Sequence, residues 1–515
     1  MHLHWRFAKN AIANLGRGSA AAVVALVLPP VLVRHMTPAS YAVWVLVLQS
    51  AAYVSYLNLG LQTAIGRYIA SAKETGNIDQ RDSVFSTGFL GLCCAAVLAI
   101  LCLVAATLGM AIIFPNVPAS LIPQMQLALL LVGFSMAVEL PASAWNGVFI
   151  GLERYEVPAL TTGAARLLSA LGIVAAALAG RSLVVMAAAM ASANLISYIA
   201  LYLALRRLAP GIHFKPAMVR RSTAYELSSY CFGLIIFSFN MLLVTGFDLL
   251  LVGRFQFSMI TPFSISASMI ALISGLLAAI INVIMPHSAA LHAGRKAVEL
   301  GKLVISTTRI SLLLLILTGM PILIYAGPIL RLWIGQRYVL SGTPILVILV
   351  IANIIRLGGL PYTIVLVAAG QQRYIKVTPL AEGFSNLAAS VVLGLKFGAI
   401  GVAFGTLLGS FVSIAAHLFY SMARTKSVIV FSRREFILSG VLIPALCTSP
   451  LLAIAAASLR GIAMPLLVVS TAITLSVGGA VLLLLHTRGS SSNRDQGSGD
   501  SARLVQTHDG QIGSS

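Results

Sequence analysis

Residues 83–114 read SVFSTGFLGLCCAAVLAILCLVAATLGMAIIF, a run without a single Asp, Glu, Lys or Arg. An α-helix rises about 1.5 Å per residue, so roughly 20 apolar residues cross the hydrocarbon core of a bilayer. This stretch is long enough to span, and the charge-free run continues to residue 138. Residues 255–294 and 461–487 are equally free of acidic and basic side chains. The chain therefore reads as an all-α, polytopic membrane protein.

Composition agrees. Of 515 residues, 59% are hydrophobic and only 9% charged, against roughly 25% charged in soluble proteins. The net charge is +20, which raises the question of nucleic acid. The basic residues are dispersed between apolar blocks and form no patch, so no nucleic-acid partner is expected. Cys93, Cys94, Cys102, Cys231 and Cys447 fall inside apolar blocks, where a thiol acts as a small hydrophobe. No metal-ligand spacing occurs, and the terminal His2-x-His4 is not one. No metal or cofactor is expected beyond a coupling ion.

Cutting at charges, Pro/Gly clusters and polar runs gives about fourteen helices, near 11–33, 41–69, 83–114, 120–147, 157–180, 183–205, 225–252, 258–288, 303–326, 343–368, 376–396, 399–422, 436–458 and 463–486. The first is long enough to be a retained span. The residues from Thr487 onward are polar and Gly/Ser-rich, as in a disordered cytoplasmic tail. With a cytoplasmic N-terminus, the outer loops hold Arg34, Arg181, Arg254, Arg331, Arg337, Lys396 and Arg460, 7 of the 34 basic residues. The basic loops around 206–221, 295–302 and 424–434 then face inward, so the positive-inside rule orients the chain N-in and C-in.

An internal repeat organises the spans. The third to sixth begin near 83, 120, 157 and 183, the ninth to twelfth near 303, 343, 376 and 399, giving offsets of 220, 223, 219 and 216. Arg34 and Arg254 keep the offset of 220, and Gly151-Leu152-Glu153-Arg154-Tyr155 recurs 219 residues on as Gly370-Gln371-Gln372-Arg373-Tyr374. Six helices per half preserve orientation, so the repeat is parallel. The expected domains are an N-lobe, 1–215, a C-lobe, 216–430, two additional spans, 431–486, and the tail, 487–515. Two parallel six-helix lobes would enclose a central cleft.

Several stretches resemble polysaccharide-biosynthesis flippases of the Wzx type, the O-antigen and exopolysaccharide translocases of the multidrug/oligosaccharidyl-lipid/polysaccharide exporter superfamily. They are Lys9-Asn10 through Asn14 and Gly16, Thr37-Pro38-Ala39-Ser40-Tyr41-Ala42-Val43-Trp44, Asn58-Leu59-Gly60-Leu61 with Arg67, and Gly151 to Tyr155. The layout is similar over about 1–430. The resemblance implies a non-enzymatic carrier in the bacterial inner membrane. It would turn an undecaprenyl-pyrophosphate-linked oligosaccharide from the inner to the outer leaflet by alternating access. A polysaccharide polymerase and a chain-length regulator are its implied partners, besides the lipid bilayer.

Ionisable groups at membrane depth are candidates for function. Glu139 and Arg166 flank the loop between the fourth and fifth spans at similar depth, and Arg356 and Glu382 flank the equivalent loop of the second half. Two intramembrane ion pairs follow, Glu139–Arg166 and Arg356–Glu382, whose role is structural or part of the transport cycle. Arg17 shares a helix face with Asn14, while Asn58 and Gln62 precede Arg67 at the inner end of the second span. A guanidinium binds phosphate oxygens through a planar fork, so this group is the candidate pyrophosphate and sugar site. Arg34 and Arg254, one per half, are candidates to receive the pyrophosphate outside. Asp248 is the acid assigned to the outer half of a span, suited to a coupling H+ or Na+ or to an arginine partner. Pro141, Pro286, Pro361 and Pro444 are expected to kink their spans.

Two other functions compete. A small-molecule exporter of the multidrug type would line its cavity with acids and aromatics, and this chain has few membrane acids. An enzyme acting on lipid-linked sugars needs positioned carboxylates, and the expected outer loops contain none, leaving no catalytic residue to nominate. The identity of the glycan is not encoded in loose stripes of Asn, Gln, Ser and Tyr.

Overall fold

The computed structural model describes residues 24–484 except 283, 372, 373, 375 and 376. Among the described residues no strand occurs, and ten helices are long and apolar enough to cross a membrane, or eleven when a bent pair counts as one span. The chain is an all-α polytopic membrane protein. Each of the fourteen segments drawn from the sequence holds helix, the first represented by Val24–His35. Asn14, Arg17 and the C-terminal tail lie outside the described residues.

Local sequence explains several boundaries. The second span begins at Pro38, at the first turn where a missing N–H costs nothing, and the Thr37 hydroxyl caps it by accepting from the Ser40 N–H at 3.1 Å. It passes through a 3-10 turn, Tyr53–Asn58, breaks at Leu59 and Gly60, both with positive φ, and resumes as Leu61–Thr75. The tenth span is interrupted before Pro361, which opens Leu360–Ala368. Arg433–Cys447 and Ser449–Leu459 meet at 73°, just beyond Pro444. Pro141 lies inside the continuous helix Ile122–Gly151. The ninth span stops at Ile324 and restarts as Ala326–Ile334.

The eleventh and twelfth spans occupy Val377–Ala416 and turn at Gly398, whose φ of 60° and ψ of −137° lie outside the helical region. The two arms fold back on each other. Gly401, Gly405 and Gly409, four residues apart, face Leu393, Ser390 and Asn386 so closely that a methyl at any of them would collide. Small residues at this spacing let helix backbones touch where lipid gives apolar side chains no advantage. The second and fourth spans meet in the same way. A Cβ on Gly147 would lie 2.7 Å from the Gln62 carbonyl oxygen, and one on Gly151 would lie 2.6 Å from that of Gly66.

The chain gathers into two compact units. The first comprises the described parts of Met1–Leu276, Ala326–Arg356 and Gln372–Ser421. Its core includes Ala64, Ile65, Ile69, Val84, Phe85, Phe149, Leu201 and Leu227. The basic linker between the sixth and seventh spans is fastened to the start of the third. Asp82, 2% exposed, takes Lys215 Nζ at 2.5 Å and Arg81 at 2.8 Å, while Ser86 and Thr87 accept from the Lys215 and Arg220 backbone N–H groups. The second unit comprises the described parts of Leu277–Tyr325, Leu357–Gln371 and Met422–Ser515. Within it Arg309 Nε donates to the Ser439 carbonyl at 2.7 Å, and Tyr362 and Thr425 share a hydrogen bond of 2.6 Å.

Some helix ends about 220 residues apart are alike. The third span ends at Ile113 and the Ala326–Ile334 helix at Ile334, and a 3-10 turn follows each, Ala119–Leu121 and Gln336–Tyr338. The Gly151 and Gly370 motifs align less well. Gly370 has φ +69°, and the N–H groups of Gly370 and Gln371 cap Val367 and Leu366. In the first half that left-handed position is Glu153, φ +62°, with Glu153 and Arg154 capping Ile150 and Phe149. Gly151 instead lies inside its helix at the contact with Gly66. The two loops share a cap, but the glycines of the matching motif do different jobs.

Candidate functional site

The seventh span carries the most unusual local structure. Its first helix, Arg221–Met241, gives way to a π-turn, Leu242–Gly246, and a second helix runs Asp248–Phe255. The wider π-turn offsets its carbonyls from the regular ladder and makes them available to other spans. The Val244 carbonyl accepts from Asn386 Nδ2 at 2.8 Å, from the eleventh span. The Gly246 carbonyl accepts from Gln49 Nε2 at 3.0 Å and from the Tyr53 hydroxyl, both in the second span. Leu243 packs over Gly383 with no room for a Cβ there, and Phe247 lies 6.1 Å from the Tyr53 ring.

Asp248 sits directly after this turn, in the first turn of a helix, where the aligned peptide dipoles favour a carboxylate. Its carboxylate accepts from the Thr406 hydroxyl at 3.1 Å and lies beside the Asn386 side chain. Ser390 donates both to Asn386 Oδ1 at 3.1 Å and to the Val402 carbonyl at 3.2 Å. One carboxylate, two hydroxyls, an amide and main-chain carbonyls thus meet between the seventh span and the Gly398 hairpin. Hard oxygen donors of this kind suit a small cation or a proton.

Arg356 joins this cluster. It donates to Asn353 Oδ1 at 3.2 Å, which also accepts from Ser274 at 3.2 Å, and its charge acts on both Asp248 and Glu382. Glu382 is 7% exposed and lies beside Ser413. In the first half Arg166 acts on Glu139, which lies beside the Tyr198 hydroxyl. Among the described residues no direct salt bridge joins Glu139 to Arg166 or Arg356 to Glu382. The expected pairs are electrostatic neighbours, and each carboxylate lies beside a hydroxyl from another helix. Asp248 has Arg356 as its charged neighbour, and neither Arg254 nor Arg34 takes that place.

The arginines expected outside have defined contacts. Arg34 Nη2 donates to the Leu332 carbonyl at 3.2 Å, and Arg254 Nη1 donates to the Ile112 carbonyl at 3.3 Å. Asn116 Nδ2 returns a bond to the Arg254 carbonyl at 3.3 Å. In the second span Asn58 is engaged at both ends of its amide. Its Nδ2 donates to Ser143 at 2.7 Å, and its Oδ1 accepts from the Gln62 N–H at 3.3 Å, which caps the restarted helix. Gln62 is half-buried. Arg67 is exposed, with its guanidinium 4.8 Å from the Tyr230 ring centre and 5.9 Å from that of Tyr68. Stacked in this way, a guanidinium keeps its in-plane N–H groups free for an anion.

Asn386, Ser390 and Thr406 were not among the residues singled out from the sequence, nor were Gln49, Tyr53, Tyr198 and Asn353. A signal existed for the first two. Glu382, Asn386 and Ser390 recur every four residues and share one helix face. Gln49 and Tyr53 also stand four apart, but nothing local marks a π-turn opposite them.

The family model described as polysaccharide biosynthesis protein matches residues 7–292. No protein among the curated sequences matches. Among solved structures, one titled lipid II flippase MurJ, inward closed conformation, aligns with a TM-score of 0.68 at 12% identity, covering 95% of this chain and 99% of the other. An inward-facing multidrug resistance MATE family transporter of the MOP superfamily aligns at 0.65 and 13% identity, over 81% and 98%. A MOP superfamily transporter from Pyrococcus furiosus, described as having a binding pocket of reverse polarity, aligns at 0.56 and 13%, over 82% and 96%. At these identities the likeness is one of fold.

Proposed function

The chain belongs to the polysaccharide biosynthesis protein family, and from that premise we propose that it is a flippase for an undecaprenyl-pyrophosphate-linked oligosaccharide. It carries its substrate from the inner to the outer leaflet of the bacterial inner membrane by alternating access, with both termini cytoplasmic and no catalytic step. The headgroup enters from the cytoplasmic side, where Arg17 and the ring-stacked Arg67 take the pyrophosphate. Gln62 and neighbouring polar side chains offer hydrogen bonds to the sugars, while the isoprenoid stays in lipid. A polymerase and a chain-length regulator act on the product.

One observation carries the coupling part of this reading: the Asp248 carboxylate lies beside a π-turn held from both sides, by Asn386 in one direction and by Gln49 and Tyr53 in the other. A cation, H+ or Na+, taken up at Asp248, Asn386 and Thr406 alters the hydrogen bonding of the turn. A ligand shifts a conformational equilibrium only through a difference in its affinity for the two states. The turn is the place for such a difference, because its Gly246 carbonyl is hydrogen-bonded to Gln49 and Tyr53 of the second span.

The test is made in cells. A strain deprived of this chain should accumulate the lipid-linked glycan in the inner leaflet and stop exporting polymer, and the wild-type chain should restore export. Accumulation without a transport defect would point to an enzyme on lipid-linked sugars. Loss of drug resistance with normal polymer would point to the multidrug-type exporter.

A further inference from the structure

Two hydrogen bonds already described are related by the internal repeat. Arg34 and Arg254 stand 220 residues apart, and so do Ile112 and Leu332, whose carbonyls they bind. The arginine of each half reaches the carbonyl at the corresponding place in the other half. Both acceptors belong to the last turn of a helix, ending at Ile113 and Ile334. Their side chains are alike in exposure, at 79% and 82%. The last carbonyls of a helix lack intrahelical donors and carry the negative end of its dipole, so a guanidinium is a favourable cap there. Both arginines are exposed, which weakens each bond through solvent and salt.

We propose that Arg34 and Arg254 are a symmetry-related pair of release latches, each capping a helix end of the opposite half while this end of the bundle is shut. Opening moves the halves apart and frees both guanidiniums together. A diphosphate is a stronger partner for a guanidinium than a neutral carbonyl, because the bond is charge-assisted and can be bidentate. The freed pair therefore forms an anion site at the open mouth, and a diphosphate arriving there holds the latches open. With the orientation proposed above, this is the outer mouth, where a lipid diphosphate leaves. The inference deepens that reading in naming an exit contact, but the latch stands without it.

The test uses the full chain in nanodiscs, with its five cysteines replaced and spin labels at Ser120→Cys and Leu340→Cys. These exposed positions flank the latches and are also 220 residues apart. Pulsed electron resonance then reads the populations of short and long distances without any transported substrate. Arg34→Gln and Arg254→Gln should each raise the long-to-short ratio several-fold and by similar factors. The double variant should approach the product of the two, as for independent sites, and Arg→Lys at either position should restore part of the short population. Inorganic pyrophosphate should raise the ratio in the parent and leave the double variant unchanged. An unchanged distribution in the double variant, or one arginine carrying the whole effect, would overturn the paired latch. An equal pyrophosphate response in parent and double variant would overturn the anion site. Because no glycan is present, none of these outcomes bears on whether the chain carries one.

Discussion

Asn386, in the eleventh span, donates through Nδ2 to the carbonyl of Val244 at 2.8 Å, in the π-turn of the seventh, and its side chain also lies beside Asp248. One amide thereby joins a carboxylate at membrane depth to an irregular turn of backbone. Replacing Asn386 with Leu should leave the Val244 carbonyl without its donor, costing about 1–3 kcal/mol of stability. It should also remove the effect of the coupling ion on transport. Asn386→Asp keeps the oxygen and should retain more of the ion response than Leu does. Thermal unfolding and ion-driven uptake in proteoliposomes read the two effects separately.

The second prediction concerns the other side of the turn. Gln49→Leu with Tyr53→Phe removes both donors to the Gly246 carbonyl. The variant should still bind the cation, because the Asp248 carboxylate takes its hydrogen bond from Thr406, whereas Gln49 and Tyr53 bond to the Gly246 carbonyl. Its ion-driven transport should nevertheless fall by about 10-fold or more, within the usual range of coupling energies. Radioactive sodium binding and pH-jump transport, measured on the same preparation, distinguish lost binding from lost coupling.

The hairpin at Gly398 tolerates little. Gly405→Leu forces a side chain into Ser390 across the closest approach of the two arms, and should cost about 3 kcal/mol or more through overpacking. Gly163→Ala, a helical position with open space around its Cβ, should be close to neutral. Expression level and midpoint of thermal unfolding in detergent compare the pair.

A fourth prediction addresses the linker. Lys215→Met removes one of the two cations on buried Asp82. Arg81 remains, and Lys215 is itself 34% exposed, so the loss should be about 1–2 kcal/mol, below the usual range for a broken buried pair. The linker should then open more often, and trypsin should cut after Arg220 or Arg221 several times faster in inside-out vesicles. An unchanged cutting rate would mean that the linker is held by Ser86 and Thr87 without Asp82.

Much of the fold is legible in the sequence because a bilayer enforces it: each spanning segment must satisfy its own backbone and stay apolar for about 20 residues. The charge-free run from 83 located the third span, and the offset of 220 between Arg34 and Arg254 is also that between Ile112 and Leu332, whose carbonyls they bind. The Gly151 and Gly370 motifs misaligned by two residues, because a left-handed cap accepts either Glu153 or Gly370, whereas a helix contact at Gly66 requires Gly151. The site was less legible. Asp248 and Arg356 were marked by their charge, but the grouping of both with Glu382 depends on helix rotation, which neighbouring spans decide. The π-turn leaves no mark in composition. Hydroxyl and amide partners such as Thr406, Tyr198 and Asn386 look in the sequence like ordinary polar residues of a membrane helix.

On the proposed function, a cation at Asp248 drives movement of a lipid-linked glycan. The most direct measurement places the purified chain in liposomes with an undecaprenyl-pyrophosphate oligosaccharide and imposes a sodium or proton gradient. The appearance of glycan on the opposite leaflet is then followed with a membrane-impermeant glycosidase. The wild-type chain should translocate the lipid faster under one of the two gradients, and Asp248→Asn should remove that acceleration while leaving the protein folded. Equal rates with and without either gradient, or full acceleration in Asp248→Asn, would contradict the account.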